Sequence, residues 1–163
     1  MSHDVDVANA IDPDLDLRVR PWRHELVRSH GAVLAVISIG GGLGAAARYA
    51  LTLAWPLQPG QFPWATFVTN VAGCFLIGVL MVAIIEVWRA HRLIRPFLGV
   101  GVLGGFTTFS TYAVETLDLL QPGSVLLAAT YLAGTVIGAL IAVVLGVWAT
   151  RAATRRTASR ERT

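Results

Sequence analysis

Four runs of apolar residues, at 32–53, 64–87, 96–116 and 124–150, divide this chain of 163 residues. Each has about the twenty residues that an α-helix needs to cross the hydrocarbon core of a bilayer. Inside a bilayer a span must satisfy its own backbone hydrogen bonds, which favours the helix. The chain is 55% apolar, its mean hydropathy is +0.62, and charged residues make up 14%. Soluble domains carry roughly 25% charge, so an ordinary soluble enzyme domain is excluded. The expected fold is an all-α membrane protein with four transmembrane helices forming one domain over 32–150. Residues 1–31 are expected to form a tail, either disordered or carrying a short interfacial helix over 15–27. Residues 151–163 form a basic tail.

All 13 basic residues are arginine. Arg18, Arg20, Arg23 and Arg28 precede the first run, Arg89, Arg92 and Arg95 separate the second from the third, and Arg151, Arg155, Arg156, Arg160 and Arg162 follow the fourth. The loops at 54–63 and 118–123 carry none. The positive-inside rule then places both termini in the cytoplasm. A nucleic-acid surface would set basic residues among aromatics on a folded face. Here the arginines flank apolar runs, so the expected surroundings are a lipid bilayer and no nucleic acid. Cys74 is the sole cysteine, which excludes an intrachain disulfide. His3, His24, His30 and His91 lie in tails or a loop, Glu86 and Glu115 lie near opposite ends of their runs, and no phosphate-binding Gly-Lys-Ser/Thr occurs. No catalytic constellation results, and the chain is not expected to be an enzyme.

The third run departs from a plain membrane span. Gly99, Gly101, Gly104 and Gly105 come first, followed by Thr107, Thr108, Ser110 and Thr111 interleaved with Phe106, Phe109 and Tyr112. Each glycine lowers helix stability by roughly 1 kcal/mol relative to alanine. Broken helices persist at membrane depth only where protein or a wet cavity satisfies the freed backbone groups. The third helix is therefore expected to break near its middle and to line an ion path. Hydroxyls and an amide suit an anion, freed carbonyls suit a cation, and the weakly positive edge of Phe109 suits a small anion. Asn70 stands on a four-spaced stripe with Thr66, Cys74 and Gly78, and a buried amide there needs a partner or a ligand. Arg48 is the one arginine inside an apolar run and should face a vestibule, a partner or the interface. Gly40 with Gly44, and Gly134, Gly138, Ala142 and Gly146, form two close-packing faces.

Three motifs together resemble the Fluc (CrcB) fluoride channels. They are Gly41-Gly42-Leu43-Gly44-Ala45-Ala46-Ala47-Arg48-Tyr49, Thr66-Phe67-Val68-Thr69-Asn70-Val71-Ala72-Gly73, and Gly104-Gly105-Phe106-Thr107-Thr108-Phe109-Ser110-Thr111-Tyr112. They occur in that family's order within 33–147. The resemblance implies a dual-pore channel of two antiparallel subunits that exports fluoride across the cell membrane to relieve its toxicity. It implies a structural sodium ion, not transported, held at the dimer centre by the carbonyls of Gly104 and Thr107. Asn70 and Phe109 map to pore residues, Ser110 and Thr111 to a polar track, and Thr130 to the same track more loosely. Arg48 and Glu115 map to the vestibule charges. Tyr112 stands where the family has a second phenylalanine, so its hydroxyl is a departure.

Two other readings fail on particular residues. A small multidrug-type transporter needs an acid in its first span for proton coupling, and 32–53 holds no Asp or Glu. A membrane scaffold would leave Asn70 and the hydroxyl run without a purpose. The arginine bias bears on assembly. An antiparallel homodimer needs copies that insert both ways, whereas this chain has one preferred orientation. A homologous partner subunit of opposite orientation is therefore expected, with a homodimer as the alternative.

Overall fold

The computed structural model describes residues 20–87, 92–121 and 123–160. Helix α1 spans Arg20–Ala54 and α2 spans Trp64–Val82, with one wider π-helical turn at Ala83–Val87. Helix α3 begins as a π-helical stretch at Pro96–Leu103 and ends in a single α turn at Gly104–Phe106. Helix α4 covers Ser110–Leu119 and α5 covers Val125–Arg160. Among the described residues, four helical stretches are long and apolar enough to cross a membrane: His30–Ala54, Trp64–Glu86, Pro96–Leu119 and Val125–Arg155. The chain is a multi-pass membrane protein.

Both ends of the bundle are more helical than the apolar runs. Helix α1 starts at Arg20, ahead of the first run, and α5 continues past Thr150 to Arg160. Arginine, with Glu25 and Leu26 at the first end and alanines at the second, is a strong helix former, so the ladder propagates after hydropathy has stopped favouring the membrane. Residues 1–19 lie outside the described residues, as do 161–163. At the end of the bundle that holds the 87–95 connection, the Arg151 guanidinium of α5 meets the Glu86 carboxylate, with Nη2 2.7 Å and Nε 2.8 Å from Oε1. The opposite loops turn at Gly60 (φ 75°) and Gly123 (φ 98°), in the left-handed region that only glycine enters without strain.

Glycines set how closely the helices approach. A Cβ on Gly44 would strike the carbonyl oxygen of Val102, and one on Gly105 would strike that of Gly41, so α1 and α3 touch backbone to backbone. Helices α2 and α5 do the same, because Gly78 meets the Val143 carbonyl and Gly146 the Phe75 carbonyl. Within a bilayer, where apolar side chains gain little by leaving lipid, such close van der Waals contact drives association. Of the α5 face, Gly138 packs on Val71 and Phe67, whereas Gly134 has open space beside it.

The buried side chains are few. Tyr112, Leu119, Ala128 and Tyr131 form a cluster between α4 and α5, closed by Phe62, Phe67 and Leu127. Tyr131 lies edge-on to Phe62 at 5.3 Å and tilted against Tyr112 at 5.3 Å. The outer surface is apolar instead, with Leu126, Ile85 and Trp148 largely exposed, as lipid contact requires.

Replacing Gly44 with leucine forces α1 and α3 apart. Overpacking of this kind costs about 1–3 kcal/mol, so thermal unfolding in detergent should show a lowered midpoint. Gly134→Leu, placed in open space, should leave the midpoint unchanged.

Candidate functional site

The site is built where the third span loses its helical geometry. Thr107 is extended, at φ −74° and ψ 158°, and helical geometry resumes at Ser110. The Thr107 N–H and hydroxyl both donate to the Leu103 carbonyl, each at 3.0 Å, and finish the first half. Thr108 begins the second half. Its hydroxyl oxygen accepts the Thr111 N–H at 3.2 Å, which is how a threonine caps a helix start. The same hydroxyl donates to Thr111 Oγ1 at 3.0 Å and lies 3.4 Å from Ser110 Oγ.

Asn70, on α2, is bonded to both backbone polar groups of Thr108. Its Nδ2 donates to the Thr108 carbonyl and its Oδ1 accepts the Thr108 N–H, both at 2.9 Å. The amide thus replaces the two bonds that this residue loses by leaving the helix. The α2 backbone lies close against the Thr107 side chain, since a Cβ on Gly73 would collide with Thr107 Cγ2. Arg48 reaches the break from α1, its Nε donating to the Gly105 carbonyl at 3.3 Å. Phe109 points outward and is 80% exposed, with Ser110 also exposed beside it.

The residues read from the sequence fall into four groups. Asn70, Thr107, Phe109, Ser110 and Thr111 gather at the break, with Gly104 and Arg48 at its edge. Tyr112 turns into the subunit: it is buried, its ring lies 5.9 Å from that of Phe109, and its hydroxyl donates to the Leu132 carbonyl at 2.7 Å. Thr130 is exposed on α5 and its hydroxyl returns to the Leu126 carbonyl at 2.8 Å. Glu115 lies further along α4. Its Oε1 accepts the Thr66 hydroxyl at 2.9 Å and its Oε2 the Tyr131 hydroxyl at 2.7 Å. The carboxylate borders a cavity of about 440 Å³ that Gln58, Gln61, Asp118, Gln121 and Ser124 also line.

Three participants were not singled out as site residues from sequence. Thr108 is the peptide that Asn70 holds, and Thr66 and Tyr131 hold Glu115. Thr66 stood on the polar stripe of the second run, which was a usable signal. Tyr131 is a single tyrosine in an apolar run, and only its distance to Glu115 reveals its part. One turn beyond it, Thr135 is buried with a hydroxyl that has no hydrogen-bond partner among the described residues.

Tyr131→Phe removes one of the two donors to the Glu115 carboxylate. Hydrogen bonds to a charged group contribute about 1.5–3 kcal/mol in proteins, less between membrane helices. Thermal unfolding should therefore show destabilisation, with Thr66→Val in the same direction. A double variant less destabilised than the sum of the two singles would report their coupling through Glu115.

Residues 35–147 match the family described as CrcB-like protein, Camphor Resistance (CrcB). Among curated relatives, "Fluoride-specific ion channel FluC 2" of Nocardia farcinica is 62% identical over 128 residues, covering 76% of this chain and 91% of the relative. "Fluoride-specific ion channel FluC 1" of Streptomyces coelicolor is 56% identical over 124 residues, covering 76% and 80%. "Fluoride-specific ion channel FluC 2" of Streptomyces avermitilis is 52% identical over 124 residues, covering 76% and 78%. The matched region takes in the second and third membrane spans, most of the first and fourth, and every group at the break, and the chain belongs to the CrcB-like family.

Proposed function

We propose that this chain is a subunit of a fluoride-specific channel that lets fluoride leave the cell passively and so lowers its cytoplasmic concentration. The observation that carries the reading is the outward-facing Phe109 beside the Thr108–Ser110–Thr111 hydroxyls, within the third membrane span. Its similarity to relatives named as fluoride-specific ion channels supports the same reading. The relatives are channels, and the chain is not an enzyme. Fluoride is small and strongly hydrated, so a pore must replace its water with hydrogen-bond donors. Serine and threonine hydroxyls supply donors, and aromatic edges add a weakly positive surface. The first span has no acid to couple protons, which fits passive flow.

Phe109 and Ser110 lie on the outer surface of the subunit, so a pore wall around them needs a second subunit. The reading is an antiparallel pair in the cell membrane with both termini cytoplasmic. Twelve arginines on one side and none in the opposite loops favour one insertion, hence a homologous partner chain of opposite orientation. Tyr112 presents its ring as a phenylalanine would, because its hydroxyl is taken by the Leu132 carbonyl. Arg48 and Glu115 serve as vestibule charges, and Thr130 as an outlying member of the polar track.

A structural sodium ion belongs to this reading. Among the described residues no three His, Cys, Asp or Glu side chains gather, so a cation would have to be held by oxygens of another kind. The carbonyls of Gly104 and Thr107 flank the point where Thr107 leaves helical geometry, and rings of backbone carbonyls suit monovalent cations. Sodium would supply a fixed positive charge that ties the two subunits together.

The test is fluoride efflux from liposomes, with chloride as control. Phe109→Ile should reduce efflux to background while the purified assembly keeps its size; unchanged efflux would remove Phe109 from the pore. Tyr112→Phe should stay within about threefold of wild type, the equivalent of one membrane-buried hydrogen bond of ~0.6 kcal/mol. Expressed without a homologous partner, the chain should give no efflux. Efflux from an assembly of this chain alone would contradict the paired-subunit reading.

A further inference from the structure

In an unbroken helix each N–H donates to the carbonyl four residues back. The Thr108 N–H would then go to Gly104, and the Thr111 N–H to Thr107. Neither does. The Thr108 N–H is held by Asn70 Oδ1 at 2.9 Å, and the Thr111 N–H by Thr108 Oγ1 at 3.2 Å. The two diverted donors are the ones that would otherwise occupy the two carbonyls expected to face a cation. The diversion is fixed from both sides. Asn70 Nδ2 also holds the Thr108 carbonyl at 2.9 Å, so both peptide groups that meet at Thr108 are tied to Asn70, and neither can rotate back without breaking its bond. The Thr107 hydroxyl does not compete, because it donates to the Leu103 carbonyl.

We propose that Asn70 and Thr108 are positioning residues: by holding the Thr108 and Thr111 N–H groups they keep the Gly104 and Thr107 carbonyls available to a sodium ion. Asn70 then acts on the cation through Thr108, rather than only as a donor to the passing anion. This inference rests on the sodium-bound channel reading and specifies how this chain keeps that site open. Thr108 gains a part that its hydroxyl alone would not suggest. It is the splint for the second half of the span, and Asn70 is the splint for Thr108.

The experiment titrates sodium against N-methylglucamine with the purified two-subunit assembly, made from the homologous partner chain and wild type, Asn70→Ala, Thr108→Val or Phe109→Ile. It reads the thermal unfolding midpoint in detergent and fluoride efflux in liposomes. Sodium should raise the midpoint of the wild type. Loss of a group that orients metal ligands typically weakens affinity about 10–100-fold, so Asn70→Ala and Thr108→Val should each need at least ~10-fold more sodium for the half-maximal rise. Phe109→Ile should lose efflux and keep the wild-type sodium response, which separates the cation site from the anion path. Valine matches threonine in shape, so Thr108→Val decides the matter should Asn70→Ala not fold. A wild-type sodium response in Thr108→Val overturns the inference. A wild type whose midpoint ignores sodium overturns the sodium reading itself, and is recognised before any variant is compared. Absence of fluoride efflux from the wild-type two-subunit assembly counts against the fluoride reading alone, because the midpoint titration still tests the carbonyls.

Discussion

A residue released from a helix at membrane depth costs several kcal/mol unless another group takes its backbone N–H and C=O. At Thr108 that group is the side-chain amide of Asn70, which presents one donor and one acceptor in the same plane. The rest of the site depends on this pairing. It lets the chain leave helical geometry at Thr107 and re-enter it at Ser110, and it leaves Thr108 Oγ1 free to cap α4. It also settles the place of Phe109, which sits between the held peptide and the capped helix and faces outward. A serine or alanine on α2 would not span the same two atoms.

The pairing requires α2 to lie against the break, and glycine makes that possible. Gly73 lets the α2 backbone meet Thr107, while Gly44 and Gly105 bring α1 up to α3 from another side. Arg48 then reaches the Gly105 carbonyl at 3.3 Å. A carbonyl at the end of a broken segment carries partial negative charge, so the guanidinium offsets it. Further along α4, the same economy holds Glu115 between Thr66 and Tyr131. Three helices thus converge on short polar contacts, and the apolar surface is left for lipid.

The four spans were legible in the sequence because hydropathy over some twenty residues is a strong signal. Their helical ends were not. Arg20 and Arg160 stand where hydropathy has gone and only backbone propensity remains. The wide turns at Pro96–Leu103 left no periodic trace either, since the segment is apolar all round. Asn70 and the hydroxyls from Thr107 to Thr111 stood out because polar groups at membrane depth need partners. Which partners they take was not legible. The bond from Asn70 to Thr108 crosses from α2 to the third span, and the bond from Tyr131 to Glu115 crosses from α5 to α4. Both depend on distances that spacing along one segment does not contain. Tyr112 is instructive in the same way. Its hydroxyl distinguishes it from phenylalanine in the sequence, yet the Leu132 carbonyl takes that hydroxyl out of play.

The central claim is passive conduction of fluoride past the broken third span. The most direct measurement is the reversal potential of the current through the reconstituted assembly in a planar bilayer, with unequal fluoride and equal chloride on the two sides. The account predicts a reversal at the fluoride equilibrium potential, unmoved by a pH gradient. A reversal that follows chloride, or one that shifts with the pH gradient, would contradict it.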